Sequence, residues 1–233
     1  MSKQTPFQLI SKVLKEKSSM KQDIHDTTLE IFKLFKKELI TISQKLNKEV
    51  NEIDSRLKVE FKDSGLYTDE IKFAGDILVF YMHTNIFKFD NNNPIAKTSY
   101  AKENENRLYC GMISVYNFLA DSLKYNRIND LGYMIARIFI NNEKHYFVEG
   151  KRQLSFLYNK FETEIIKPES MRAIIESAIL YTIEFDLLTP PYSQQQEVTV
   201  NELQETTRNM MIKTGKRMGF TFQADTDQID IKS

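Results

Sequence analysis

The chain has 233 residues, of which 41% are hydrophobic and 12% aromatic, with 16 Phe, 11 Tyr and no Trp. Its 32 Lys and Arg balance 32 Asp and Glu, which removes any general electrostatic case for nucleic acid or anionic lipid and leaves only local patches. One cysteine, Cys110, excludes an intramolecular disulfide and fits a reducing compartment.

Only seven Gly and five Pro punctuate the chain, so long elements are expected. The opening "MSKQTPFQLISK" lacks the apolar core of a signal peptide, and no apolar run reaches the roughly 20 residues of a membrane helix. The expectation is a cytoplasmic protein without membrane association.

Between Pro6 and Gly65 there is neither Gly nor Pro. Thr5-Pro6-Phe7-Gln8 reads as a capping box with proline at the first helical position. Phe7, Ile10, Val13 and Leu14 follow as an apolar stripe. Ser19-Met20-Lys21-Gln22 repeats the box and predicts a second helix from about Lys21 to Asp54. Its stripe runs through Ile24, Phe32, Phe35, Leu39, Ile42, Leu46, Val50 and Ile53. From Phe32 onward the spacing of three and four is that of an a/d seam. Such a helix is about 50 Å long, against roughly 45 Å for a compact globule of this length. It therefore spans the domain or projects from it, and Phe32, Phe35, Leu39, Ile42 and Leu46 are the expected interface of a homo-oligomer.

After Arg56 the period becomes two. Leu57, Val59 and Phe61 alternate with lysine and glutamate, and Asp63-Ser64-Gly65 makes a turn. Glu70–Ala74 and Ile77–Phe89 read as a hairpin around Gly75-Asp76. Asp90-Asn91-Asn92-Asn93-Pro94 ends it, and residues 95–107 read as a polar loop. Tyr109–Leu119 is a further strand. Gly132–Ile140 and Glu143–Glu149 read as a hairpin with the two-residue turn Asn141-Asn142, because asparagine tolerates positive φ. This register sets Arg137 opposite Tyr146 and Ile138 opposite His145.

The helical period returns from Gln153 to Ile165, again after Pro168, and from about Thr199 to Arg217. The tail "QADTDQIDIKS" is acidic. Helices, then strands without helical crossovers, then helices favour an α+β fold. Its expected core is an antiparallel sheet of five or six strands, flanked by N-terminal and C-terminal helices. The division reads as one domain: helical 1–56, sheet 57–150, helices 151–219 and tail 220–233.

Candidate chemistry is sparse. In "ILVFYMHTNIFKF" both faces are apolar through Met82, as on a central strand covered on both sides. His83 and Asn85 share the face of Tyr81 towards the far end of the strand. Arg137 interrupts the apolar "GYMIARIFI" and needs a carboxylate, backbone carbonyls or an anion, since a buried unpaired guanidinium is prohibitive. The chain has three histidines and no HExxH, paired CxxC, GxGxxG or GxSxG pattern, so no metal and no cofactor are expected. Asp225, Asp227 and Asp230 lack the glycine and later ligands of a calcium loop. Thr214-Gly215-Lys216 lacks the first glycine of a phosphate loop.

These features predict a non-catalytic binding or assembly module with a protein partner, self-associating through the long N-terminal helix. An enzyme or small-ligand sensor using His83, Asn85 and Arg137 is the alternative. A weaker one is nucleic-acid binding by region 201–222, where Arg208, Lys213, Lys216 and Arg217 precede Phe220 and Phe222.

Overall fold

The computed structural model describes residues 5–151, 154, 160–184, 187–188, 199–201, 204 and 220–221. The first helix, α1 (Pro6–Val13), begins at the expected capping box. The Gln8 amide donates to Thr5 Oγ1 at 3.3 Å and the Thr5 amide donates to Gln8 Oε1 at 3.0 Å. The second box does not form. The backbone stays helical through a π-helical segment, Leu14–Ser18, into the 35-residue α2 (Ser19–Ile53). With Ser18 and Ser19 already helical, there is no free end for a side chain to cap.

The strands β1 (Val59–Asp63), β2 (Thr68–Phe73), β3 (Asp76–Lys88), β4 (Tyr109–Leu119), β5 (Tyr133–Asn141) and β6 (Tyr146–Gly150) form one antiparallel sheet. Their spatial order is their chain order, so every connection joins neighbours. The fold is α+β, as expected. Two short helices, α3 (Ser99–Glu103) and α4 (Ala120–Lys124), lie on either side of β4 in the chain. The third long helix, α5 (Pro168–Ile183), carries Met171, Ile174, Ile175, Ala178 and Thr182 inward, and Pro168 occupies its first turn. A two-residue parallel pair joins β7 (Leu187–Leu188) to β8 (Phe220–Thr221).

Helices α2 and α5 share one face of the sheet. Their buried stripes meet Ile71, Phe73, Leu78, Phe80, Met82, Ile113, Val115, Ile138, Ile140 and Val148 in one core. Helix and sheet approach closely at Gly111, where an added Cβ would fall inside the contact distance of Thr28 Oγ1 and 2.8 Å from its Cβ. Arg172 on α5 ties the layer to Glu38 on α2, with its Nε 3.0 Å from Glu38 Oε2. On the other face Tyr81 is 39% exposed, so β3 is not covered on both sides as its apolar run implied.

Three further expectations need correction. The β5–β6 register sets Arg137 opposite Glu149, Ile138 opposite Val148 and Ile140 opposite Tyr146. Asn141 does not supply positive φ. Its Oδ1 accepts the Glu143 and His145 amides, both at 3.0 Å, and Lys144 takes the left-handed position with φ 63. The loop is thus longer than two residues, and pairing resumes only at Tyr146. Residues 94–108 are not a bare loop but two 3-10 turns around α3. Ile95, Ala101 and Leu108 enter a second core with Cys110 and Phe161. Finally, residues 160–166 are not helical, and Ile165 instead bridges His145. Of the predicted 199–217 helix, Val200, Asn201 and Gln204 are helical and Thr199 is not, and the remainder lies outside the described residues. So does the tail beyond Thr221.

Candidate functional site

The sequence candidates do not converge. Asn85 donates its backbone N–H to His83 Nδ1 at 3.0 Å, which assigns the ring proton to Nε2. The His83 ring packs edge-on against Phe87 with centroids 5.0 Å apart. The register of β3 against β4 shifts between these two residues. Asn85 lines an open groove of about 650 Å³ with Lys21, His25 and Phe87. Arg137 shares the face of His83 but stands two strands away, with its Nε donating to Glu149 Oε2 at 2.7 Å. Around it Phe87, Phe89, Met112, Phe139 and Phe147 line a different cleft of about 390 Å³. That volume would take a small ligand. Arg137 is already neutralised there by Glu149, and Lys88, which also lines the cleft, lies 5.4 Å over the Tyr109 ring. His83 and Arg137 are each tied to a local partner rather than gathered round one cavity.

The expected interface residues are core residues. Phe32, Phe35, Leu39 and Ile42 are buried against the chain's own sheet, and Leu46 packs half-buried beside them. A three-and-four spacing is what a helix needs to pack on a sheet as well as on another helix, so the seam was visible but its partner was not.

His145 lies in the loop before β6. It stacks on Tyr100 with centroids 4.5 Å apart and donates from Nδ1 to the Phe161 carbonyl at 2.8 Å. Tyr100 donates to Glu143 at 2.9 Å and accepts from Asn141 Nδ2 at 2.9 Å. Arg107 donates to Glu143 at 2.9 Å and lies 4.1 Å over the Tyr100 ring. Burial, reinforced by the Glu143 carboxylate, pushes the Tyr100 hydroxyl up to about 12. Burial acts against ionised Glu143, but the hydrogen bonds from Arg107 and Tyr100 hold its carboxyl below the usual range. This network has its partners within the chain and latches residues 94–108 onto the β5–β6 loop. Sequence reasoning missed it because 36 to 43 residues separate Glu143 from Arg107 and Tyr100.

A charged cleft of about 480 Å³ is lined by Arg56, Lys58, Lys62, Lys72, Lys124, Glu70 and Asp121. Lys62 pairs with Glu70 at 3.1 Å, Lys72 with Glu60 at 3.2 Å, and Arg56 with Asp54. Most of its positive charge is therefore spent locally. Cys110 is completely buried, and desolvation pushes its thiol far above the ordinary value, so it is inert as a nucleophile. Among the described residues no group of three or more His, Cys, Asp or Glu side chains could hold a metal ion. Among them also no helix is long and apolar enough to cross a membrane.

One buried carboxylate stands apart. Asp69 on β2 faces α2, is completely buried, and has Lys36 Nζ 3.3 Å from Oδ1. Neither carboxylate oxygen accepts an aligned hydrogen bond. Burial raises its pKa against the pull of Lys36. A carboxyl raised on folding contributes its stability below the unfolded value and loses it as pH rises through the folded value. Asp69→Asn, which leaves Lys36 paired to Asp63 at 2.9 Å, is therefore expected to match the parent near pH 3. It should gain on the parent progressively towards pH 7. Urea unfolding across that range checks it; a gain that is constant with pH defeats it.

Among the described residues, the start of the helix carries a continuous exposed apolar stripe. Over Pro6–Ser18 no side chain is buried. Phe7 is 79% exposed and Ile10 57%, and Leu9, Val13 and Leu14 are exposed beside them. The π segment marks where this arm leaves the body of α2, whose first buried residue is Ile24. No protein-family model, curated protein or solved structure matches the chain.

Proposed function

We propose that the chain is a non-catalytic binding module that docks through its N-terminal helical arm, residues 6–18. One observation carries this reading: the arm is a capped, preorganised helix whose large apolar side chains stay exposed, none of them buried against the described residues. A segment of this length is marginal as an isolated helix. Here the capping box and its continuity with α2 favour the helical state without any buried side chain. Rigid presentation lowers the entropy cost of binding. Self-association through the central seam is the weaker form of the reading. It would require taking Phe32, Phe35, Leu39 and Ile42 out of the core.

The inert thiol of Cys110 makes a clean test available. A Ser11→Cys variant carrying an environment-sensitive fluorophore reports arm burial. A blue shift is expected with either the soluble or the membrane fraction of native cells, and it should vanish when Ile10→Asp and Leu14→Asp are added. No shift with either fraction rejects the reading.

A further inference from the structure

We infer that the partner of the arm is an anionic lipid surface, which the arm meets lying flat along the interface. This rests on the docking reading above and names its partner.

Three properties of the arm select the occupant. The first is the width of its apolar face. At about 100° per residue, Leu9, Val13, Ile10, Leu14 and Phe7 cover an arc of about 160°. A coiled-coil seam is narrower than this, whereas a helix lying in the plane of a bilayer interface sinks its whole apolar face into the headgroup boundary. The second is charge. Lys12, Lys15, Lys17 and Lys21 stand against Glu16 alone between Thr5 and Lys21. Lys15 lies beyond the Phe7 edge of the face. Lys12 lies beyond the Leu9 edge, with Glu16 3.9 Å from its Nζ. Further along, Lys17 and Lys21 replace apolar residues. Lysines in these positions bury their stems and lift their ammonium groups to headgroup phosphates.

The third is size, which argues against a second copy. Half the surface of a cylinder about 20 Å long and 10 Å across is about 300 Å², while stable interfaces bury roughly 800 Å² per partner. Two copies would also bring like lysine rows together. A lipid surface has no such area limit, and it supplies the opposite charge. The neutral overall balance of the chain hides this local concentration of positive charge. None of the variants below touches a buried residue, so the body of the protein should melt unchanged in each.

Vesicle co-sedimentation of the full chain tests the inference, with phosphatidylcholine vesicles against vesicles containing phosphatidylglycerol. Binding to the anionic vesicles should be more than about ten-fold stronger and should weaken as salt is raised. Ile10→Asp with Leu14→Asp should abolish it. Lys15→Gln with Lys17→Gln should reduce it while keeping the apolar face. Equal binding to both vesicle types, or binding indifferent to these changes, overturns the inference. If the fluorescent arm responds to a soluble fraction but to neither vesicle, the lipid partner is wrong and the docking role survives. If it responds to nothing, both fall.

Discussion

Phe35→Ala is expected to cost about 3–5 kcal/mol of folding stability, read as a lowered urea midpoint. Phe35 is completely buried, and its ring lies 6.2 Å from that of Phe80 across the helix–sheet junction. Truncation removes the ring from the largest core and leaves a cavity that neither a 35-residue helix nor a six-stranded sheet can easily close. Leu39→Ala, one turn on and equally buried, belongs at about 2–5 kcal/mol. Phe7→Ala, in the same helical run but 79% exposed, should stay within about 0.5 kcal/mol of the parent. The contrast separates a structural stripe from a docking stripe. If Phe35→Ala left stability unchanged and altered only association state, the seam would belong to a second chain after all.

Gly111→Ala should be the most damaging methyl that can be added to the sheet, at about 1–3 kcal/mol or more. The new Cβ would collide with Thr28, whose hydroxyl donates to the Ile24 carbonyl at 2.7 Å within α2. Relief requires α2 to lift from β4, and α2 also packs on β1 and β5. Because the clash lies between two named side chains, a double-mutant cycle reads it directly. Thr28→Ala should rescue Gly111→Ala in part, since Thr28 Cβ itself would still sit at 2.8 Å. Additive losses would place the damage elsewhere, in the backbone of β4.

The sequence carried the architecture well wherever periodicity and punctuation agreed. Tyr109–Leu119 stands as predicted, and the α2 stripe was legible from Ile24 to Leu46, although Ile53 at its end is 87% exposed. Pro168 opens α5 with the expected inward face. The failures are local signals outvoted by their surroundings, by helix continuity at Ser19 and by distant contacts at the others. Ser19 reads as a cap, yet the helix runs on unbroken from Leu14. Asn141-Asn142 reads as a tight turn, but Asn141 spends its side chain on the Glu143 and His145 amides, Tyr100 and the Arg107 carbonyl. That stretches the loop and moves Arg137 from Tyr146 to Glu149. The polar run 102–106 reads as loop because Ile95 and Leu108, which anchor it, flank it rather than punctuate it. The site was harder still. His83, Asn85 and Arg137 are conspicuous by composition and separate in space. The arm was visible as Phe7, Ile10, Val13 and Leu14, and only the structure distinguishes an apolar stripe that is covered from one that is not.

The neighbour-to-neighbour order of the sheet has a consequence for synthesis. α2 leaves the ribosome before any strand that will cover it. The roughly 100 residues from its end to the end of β6 take about 5–20 s to translate. During that time Ile31, Phe32, Phe35 and Leu39 have no sheet to bury them. The meander then lets each strand zip onto the one just made, and α5 closes the layer last, through an ion pair joining positions 134 apart. A nascent chain paused after α2 has emerged and before the sheet is complete would display this buried stripe uncovered, which makes that interval one in which a chaperone has much to hold.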